Sequence, residues 1–340
     1  MKVAIAGATG TVGQRFIQLL HRHPWFQVGE LLASDRSKGK KLKDACSFRL
    51  FDIPKEYDEM VVKGLYDKVE SKLIFSALPS DVAGKVEKNF VKQGAVVASN
   101  AGHHRMDKDV PLVIPEVNHQ HLQLVKGKKA FIITNANCTT TQLVLALKPL
   151  HDDFGLSGVS VVSMQALSGS GYPGVSSMDI ADNVLPHIKG EEEKVETEPL
   201  KILGDLREGS IDNADISISA SCNRVNVLDG HLESVSVKLS KPSKIEDVKK
   251  SMSNFSALPQ ELKLPSSPKN PIIYMEEENR PQPRLDKDKQ NGMSVVVGRL
   301  KRDNVLDYRF HVLGHNTIRG AAGGSILNAE LLYSLNLLEG

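Results

Sequence analysis

The stretch that decides the fold lies at the start of the chain and reads Lys2-Val3-Ala4-Ile5-Ala6-Gly7-Ala8-Thr9-Gly10-Thr11-Val12-Gly13. Residues 2–6 have the pattern of a short buried strand, and residues 14–21 have that of an amphipathic helix. The glycines between them allow a tight turn and let a pyrophosphate approach the helix N-terminus. The stretch predicts a dinucleotide site, with an α/β turn that binds no ligand as the alternative. The predicted contacts are Gly7, Thr9, Gly10, Thr11, Val12 and Gly13.

Strands and helices alternate as far as residue 136. Strands are predicted at residues 28–33, 95–98 and 130–133. Residues 73–80 are predicted to form a further strand and the loop at its C-terminal end, and residues 83–93 a helix. This alternation is typical of an α/β domain with a doubly wound parallel sheet. Ligands of such sheets bind beyond the carboxyl ends of the strands, so Ser76 is a predicted cofactor contact.

The loop after residues 28–33 bears on the choice of cofactor. It contains Ser34, Asp35, Arg36, Ser37 and Lys38. An acidic residue at this position favours NAD through the ribose 2′-hydroxyl, whereas Arg, Ser and Lys favour the 2′-phosphate of NADP. We predict NADP bound by Ser34, Arg36 and Ser37, with NAD as a secondary cofactor; a solvated polar loop is the alternative.

Cys138 follows the apolar run 130–133 and precedes a predicted helix at residues 142–150. It therefore lies at a strand-to-helix turn, near the first exposed amides of the helix. The partial positive charge there stabilises a thiolate and lowers the cysteine pKa. The same amides are suited to hold an oxyanion. Cys138 is predicted to be a nucleophile, and a small buried core cysteine is the alternative.

The region after Cys138 has a different pattern of predicted strands and helices from the region before it. A turn signal at Asp229-Gly230 joins two segments with alternating patterns, and residues 264–284 are rich in proline. We predict a second, α+β domain with a mixed or antiparallel sheet, in which residues 264–284 are irregular. Its strands are predicted at 159–167, 216–227, 231–239, 294–300 and 308–313, and its helices at 191–203 and 320–338.

Length, charge and cysteine content exclude several classes of protein. The 340 residues suffice for two domains, and the net charge of +2 gives no electrostatic case for binding nucleic acid or an anionic membrane. No apolar run has the length of a membrane span, and the N-terminus lacks a signal-peptide pattern. Cys46, Cys138 and Cys222 fit neither a disulfide framework nor a Cys-x-x-Cys metal site. We expect a cytoplasmic protein without a metal.

Five motifs in order, spread over essentially the whole chain, resemble the aspartate-β-semialdehyde dehydrogenases, and most closely their archaeal and fungal branch. They are residues 7–13, Asn137-Cys138-Thr139, Gln165-Ala166-Leu167-Ser168-Gly169, residues 224–231 and residues 316–323. The resemblance implies a Rossmann domain at 1–136, completed by a C-terminal helix at 318–340. It implies a catalytic and dimerisation domain at 137–317, and a homodimer or a homotetramer.

The resemblance also implies a reaction, the NADPH-dependent reduction of L-aspartyl 4-phosphate to L-aspartate 4-semialdehyde with release of phosphate. This step feeds the biosynthesis of lysine, threonine, methionine and isoleucine. A thiolate displaces phosphate, and a hydride reduces the thioester that forms.

The resemblance assigns roles to single residues. Cys138 is the nucleophile, His231 the general acid/base, and Gln165 orients the acyl group. Arg224 grips the substrate α-carboxylate and Glu191 its ammonium group, with Glu192 and Glu193 as adjacent alternatives. The phosphate meets Lys194, Arg105 and Asn137, and further cofactor contacts are Ser168, Gly169 and Asn316. The alternatives are a strand-edge surface histidine at His231 and a solvated helix start at residues 191–194.

Two other functions compete with this one. An acyl-CoA reductase of the malonyl-CoA reductase type has the same fold, but Asn137 on the phosphate side favours the semialdehyde dehydrogenase. The second is a non-catalytic dinucleotide-sensing protein. The joint presence of Cys138, Gln165, Arg224 and His231 argues against it, although the fold alone does not.

Overall fold

The computed structural model describes residues 1–338. The strands are β1 Lys2–Ala6, β2 Gln27–Ala33, β3 Lys63–Gly64, β4 Leu73–Ser76, β5 Val96–Ser99, β6 Leu112–Val113, β7 Ile132–Asn135, β8 Leu156–Gln165, β9 Asp205–Arg207, β10 Ser210–Asp212, β11 Ser217–Arg224, β12 His231–Leu239, β13 Ile272–Met275, β14 Val295–Arg302 and β15 Tyr308–Gly314. The α-helices are α1 Thr11–Leu20, α2 Leu42–Ala45, α3 Lys55–Asp58, α4 Ser80–Lys92, α5 Pro115–Asn118, α6 Cys138–Phe154, α7 Ser177–Ile180, α8 Glu191–Ile202, α9 Ile245–Ser253, α10 Leu258–Glu261, α11 Pro283–Asp286 and α12 Gly323–Ser334.

The first sheet has seven parallel strands in the order β3-β2-β1-β4-β5-β7-β6. Its central strands are buried on both faces, as the apolar runs in the sequence require. The predicted doubly wound parallel sheet is therefore confirmed. The carboxyl ends of its strands all lie at one edge, which is where ligands bind in this architecture.

The C-terminal segment returns to the first sheet, where α12 packs against β5, β7 and α1. A buried ion pair helps to hold it, because Arg319 Nη1 donates to Glu116 Oε1 at 2.8 Å. The single helix predicted at 320–338 is wrong in detail. A wider π-helical turn, Ile318–Ala322, precedes α12, and α12 ends at Ser334. Residues 339–340 of the predicted 318–340 segment lie outside the described residues.

The second sheet has six strands in the order β11-β8-β12-β15-β14-β13 and is mixed, as predicted. β11 runs parallel to β8 and β13 parallel to β14, whereas the other neighbours are antiparallel. Helices α6, α8 and α9 cover one face. The other face carries exposed side chains at Ser160, Val162, Ser219 and Ser221.

The structure adds two details to the predictions about this sheet. The predicted strands 216–227 and 231–239 are joined at Asp229-Gly230 but do not pair with each other, because β8 lies between β11 and β12. The connection bonds instead to the chain that follows β8, where the N–H of Leu167 donates to the carbonyl of Val227 at 2.8 Å. Residues 264–284 are not wholly irregular, because they supply the edge strand β13, and edge positions tolerate prolines nearby.

No helix of residues 1–338 is long and apolar enough to cross a membrane.

Candidate active site

A cleft of about 520 Å³ lies where the carboxyl edge of the first sheet meets the end of the second. It brings together residues predicted from distant parts of the sequence. Among its lining residues are Thr11, Val12, Arg105, Asn137, Cys138, Gln165, Ser168, Gly169, Glu191, Lys194, Arg224 and Asn316.

Cys138 is half-buried in this cleft and is the first residue of α6. The helix begins four residues earlier than predicted because Asn137 caps it. The Asn137 Oδ1 accepts hydrogen bonds from the amides of Thr139 at 3.0 Å and Thr140 at 3.2 Å. Gly320 packs directly against Cys138, and a Cβ at that position would lie 2.7 Å from the Cys138 Cβ. The sulfur is therefore held between the capped helix start and the π-helical turn.

A lateral row of three side chains crosses the end of the second sheet beside Cys138. Arg224 of β11 lies opposite Gln165 of β8, and His231 of β12 lies on the other side of Gln165. The His231 Nε2 is 3.3 Å from the Cys138 Sγ. His231 is completely buried, so the alternative of a surface histidine is wrong.

The backbone around residue 166 fixes this row. The amide of Ala166 donates to His231 Nδ1 at 3.0 Å, and the carbonyl of Ala166 accepts from Arg224 Nη1 at 2.6 Å. Gly169 closes over both side chains. A Cβ there would lie 2.9 Å from Arg224 Nη1 and 3.2 Å from His231 Cε1, so a larger residue does not fit without displacing them.

Burial sets the charge of the two central groups. Burial and the nearby Arg224 lower the pKa of His231 to about 3, so its ring is neutral at physiological pH. Burial, and then the Glu191 carboxylate, raise the pKa of the Cys138 thiol to about 12, although Arg105 and Arg224 oppose this. The lowered pKa predicted from the helix N-terminus is thus wrong, because burial outweighs the helix contribution.

Helix α8 presents charged groups to the cleft. Glu191 accepts from Asn137 Nδ2 at 3.0 Å and from Lys194 Nζ at 2.9 Å. Burial tends to raise the pKa of Glu191, but Lys194 and Asn137 lower it overall, so the group is a carboxylate. Glu192, one of the predicted alternatives, instead accepts the amide of Cys222 at 3.1 Å.

Sequence reasoning missed Glu198, which is buried one turn beyond Lys194. One of its oxygens accepts from Arg105 Nη1 at 2.8 Å, and the other accepts the amide of Asn137 at 2.7 Å. It thereby joins a predicted phosphate contact to the start of α6. The available signal was the spacing of Glu191, Lys194, Glu198 and Lys201, which lie on one face of a helix.

Lys201 and Gln142 were missed as well. The Lys201 Nζ donates to the carbonyls of Arg105, Asp107 and Val110 at 2.7–2.9 Å and so holds the loop that carries Arg105. Gln142, one turn after Cys138, donates to the His231 carbonyl at 2.9 Å. Its position four residues after the nucleophile was the only signal in the sequence.

The first turn of α1 fits a pyrophosphate. Its N-cap is Gly10, which has no side chain to bond the first amides of the helix. Thr11 and Val12 face the cleft, so these amides are available to a ligand there. Gly7 has a φ of +84°, and a Cβ on Gly13 would lie 2.1 Å from the Gly7 carbonyl oxygen. The turn can therefore form only with glycine at both positions.

The other predicted cofactor residues differ in whether they are exposed and whether they reach the cleft. Ser34 and Arg36 are exposed beyond the end of β2, while Ser37 is largely buried. Asn316 Nδ2 donates to Ser168 Oγ at 2.8 Å on the cleft wall. Ser76 does not reach the cleft, because its side chain is fully buried and donates to Glu87 at 2.6 Å. Residues 78–80, at the start of α4, line the cleft instead.

Comparison with known proteins gives matches over nearly the whole chain. The family model described as semialdehyde dehydrogenase, NAD binding domain, matches residues 2–125, and that described as semialdehyde dehydrogenase, dimerisation domain, matches residues 147–319. The aspartate-semialdehyde dehydrogenase of Archaeoglobus fulgidus is 52% identical, with 99% of each chain covered. That of Schizosaccharomyces pombe is 46% identical, also with 99% of each covered. The crystal structure of the Candida albicans enzyme with NADP matches with a TM-score of 0.92 at 43% identity and 99% coverage of each chain.

Proposed function

The chain belongs to the aspartate-semialdehyde dehydrogenase family, and we propose that it reduces L-aspartyl 4-phosphate to L-aspartate 4-semialdehyde with NADPH and releases phosphate. The observation that carries this proposal is the cleft itself. A thiol 3.3 Å from an imidazole faces a guanidinium, a carboxylate and two further cations, beside a turn suited to a dinucleotide. Its product serves amino-acid biosynthesis.

Charge complementarity assigns the parts of the substrate. A guanidinium pairs bidentately with a carboxylate, so Arg224 takes the α-carboxylate. Glu191 takes the α-ammonium group, and Gln165 orients the acyl group. The phosphate meets Lys194, Arg105 and Asn137, which line the cleft near the sulfur. The Glu198 carboxylate holds Arg105 in place for this task.

The chemistry proceeds through Cys138. Its sulfur attacks the acyl carbonyl and displaces phosphate, which leaves a thioester on the enzyme. The residues that would hold NADPH are Gly7, Thr9, Gly10, Thr11, Val12 and Gly13, with Ser168, Gly169 and Asn316 at the other wall, and the bound cofactor would supply the hydride that reduces the thioester. Collapse of the thiohemiacetal then frees the aldehyde. We assign the acid/base role to His231 because of its position beside the sulfur.

Substrate comparison tests the function. The purified protein should oxidise NADPH with enzymatically generated aspartyl phosphate and should do so much faster than with malonyl-CoA. NADH in place of NADPH measures the secondary use of NAD. Faster turnover of malonyl-CoA would identify an acyl-CoA reductase instead, and binding of NADPH without turnover of either substrate would favour a dinucleotide sensor.

Arg36 provides a prediction about cofactor choice. We expect Arg36→Ala to weaken NADPH use by about 1–3 kcal/mol through loss of a charged hydrogen-bond partner of the 2′-phosphate, with NADH use unchanged. KM values for both cofactors measure the effect. Lys38→Ala is the matched control, because Lys38 is already paired with Asp67 at 2.5 Å. Equal losses with both cofactors would show that Asp35 governs this loop.

We propose that residues 1–136 and 318–340 form the cofactor domain and residues 137–317 the catalytic and dimerisation domain. Two hydrophobic cores support the division. One joins the first sheet to α12, and the other lies between the second sheet and α6, α8 and α9. The matched dimerisation domain lies within the second unit for most of its length.

We propose a homodimer or a homotetramer in which the exposed face of the second sheet, within the matched dimerisation domain, forms a subunit interface. On that face Val162 is 42% exposed between Ser221 and Ser234 of the neighbouring strands. We expect Val162→Asp to weaken self-association about a hundredfold or more, because a charge would be buried without a partner. Sedimentation velocity measures this, with Val305→Asp, at a position 87% exposed, as control. Unchanged association of Val162→Asp would place the interface elsewhere.

We propose a cytoplasmic location. All three cysteines, Cys46, Cys138 and Cys222, are free thiols, and the proposed chemistry needs one of them reduced.

A further inference from the structure

A buried side-chain amide links the helix that carries the sulfur to the strand that carries the imidazole. Gln142 lies four residues after Cys138 on α6, and therefore on the same face of the helix. Its Nε2 donates to the carbonyl of His231 at 2.9 Å and to Oε1 of Glu233 at 2.7 Å, both on β12. The Gln142 amide thus joins α6 to β12 beside the sulfur and the imidazole.

The two partners fix the orientation of this amide. A backbone carbonyl can only accept, so the atom that lies 2.9 Å from the His231 carbonyl must be the nitrogen of the Gln142 side chain. That nitrogen has two hydrogens, and the second is directed to Glu233. Both hydrogens are therefore used, and removal of either acceptor would leave a buried N–H group unpaired.

The packing around the amide leaves little room for another arrangement. Gly314 of β15 is paired with His231, and a Cβ on this glycine would lie 2.3 Å from the Oε1 of Gln142. Gln142 and Glu233 are 1% and 0% exposed, so bulk water does not compete for their hydrogen bond. The Gln142 side chain is therefore held in one position between the helix and the sheet.

Glu233 serves this arrangement as a hydrogen-bond acceptor. Its Oε1 accepts from Gln142, whereas its Oε2 is buried and makes no hydrogen bond within residues 1–338. Burial raises the pKa of Glu233 well above its usual range, although the bond from Gln142 opposes this. A protonated carboxyl group and a side-chain amide each have one carbonyl oxygen that can accept. Glutamine at position 233 should therefore keep the bond, and leucine should abolish it.

We infer that Gln142 and Glu233 are positioning residues of the proposed reaction. Together they hold β12 against α6, and they thereby set the separation of 3.3 Å between Cys138 Sγ and His231 Nε2. Proton transfer between a thiol and an imidazole requires hydrogen-bond reach, so a small displacement of either element slows it. The inference rests on the proposed function for the roles of Cys138 and His231. It adds two residues that do not line the cleft.

Steady-state kinetics of three variants test the inference. Glu233→Leu and Gln142→Met each remove the link and keep a side chain of similar size. We expect kcat to fall about tenfold or more in each, because the sulfur and the imidazole are no longer held together. KM for aspartate semialdehyde and for phosphate should stay within about twofold, because the link does not touch the substrate. Glu233→Gln keeps the acceptor and should keep kcat within about twofold.

Alkylation reads the thiol and the imidazole without substrate. Iodoacetamide reacts with the thiolate, which a neighbouring imidazole favours, so its rate at Cys138 depends on where His231 lies. Near neutral pH, this rate should fall about threefold or more in Glu233→Leu and Gln142→Met. It should be unchanged in Glu233→Gln. The proposed function fails in a different way, by the absence of NADPH oxidation with aspartyl phosphate, and the alkylation rates do not depend on it.

Val235→Ala is the control for a general loss of stability. Val235 lies two residues after Glu233 on β12, on the same side of the strand, and is completely buried. This variant should lower Tm but keep kcat and the alkylation rate. A similar fall of kcat in Val235→Ala would overturn the inference, as would equal losses in Glu233→Gln and Glu233→Leu. If Glu233→Leu does not fold, Gln142→Met decides alone, and full kcat in that variant would overturn the inference.

Discussion

Cys138→Ser should abolish turnover of aspartyl phosphate, by about a thousandfold or more, while NADPH binding and the fold persist. A hydroxyl is a far weaker nucleophile than a thiol, because it ionises far less readily at neutral pH. The fold should persist because serine is no larger than cysteine, so Gly320 still fits against it. The cap on α6 comes from Asn137 and is independent of the sulfur. Steady-state rates, NADPH titration and circular dichroism measure the three expectations.

Cys222→Ser is the matched control for that experiment. Cys222 is completely buried in β11, outside the cleft, and burial raises the pKa of its thiol to about 11. We expect this variant to keep its turnover. Substantial activity in homogeneous Cys138→Ser protein would rule out the covalent route. Substrate-protected alkylation mapped to Cys46 or Cys222 would also contradict it.

The first sheet and its cofactor turn could be predicted because their signals are local. A five-residue apolar strand, glycines at three-residue spacing and a following helix specify the turn around Gly7 and Gly13 without reference to the rest of the chain. The strand-to-helix position of Cys138 is equally local, since it depends on neighbours within ten residues. The resemblance supplied the partners that lie far away in sequence, such as Arg224 and His231.

What could not be predicted depends on register and burial. The order of β11, β8 and β12 is set by pairing across the sheet, and the turn signal at Asp229-Gly230 is compatible with either arrangement. The inward direction of Ser76 depends on Glu87 of α4, which no local pattern specifies. The raised pKa of Cys138 follows from its burial in the cleft, and the sequence shows only the helix start that opposes it.

The Arg224→Ala exchange should have the second largest effect, and it separates substrate recognition from the chemistry at sulfur. Arg224 is buried at the cleft wall, where Nη1 donates to the Ala166 carbonyl at 2.6 Å and the rest of the guanidinium is available to a carboxylate. Its loss should lower kcat/KM for aspartate semialdehyde, in the oxidative direction, by about 2–5 kcal/mol, because a buried substrate carboxylate loses its partner. That range corresponds to roughly 30-fold up to several thousandfold.

Two further variants show whether the loss arises from recognition. Arg224→Lys keeps the positive charge but lacks the planar fork, so we expect an intermediate loss. Arg207→Ala, at a side chain 68% exposed on β9, is the surface control and should retain full activity. Arg224 also favours the Cys138 thiolate, so alkylation without substrate should slow in Arg224→Ala, but much less than kcat/KM falls, since the carboxylate contact exists only with substrate bound. If Arg224→Ala and Arg207→Ala turned over aspartate semialdehyde equally well, the carboxylate would have to bind elsewhere in the cleft.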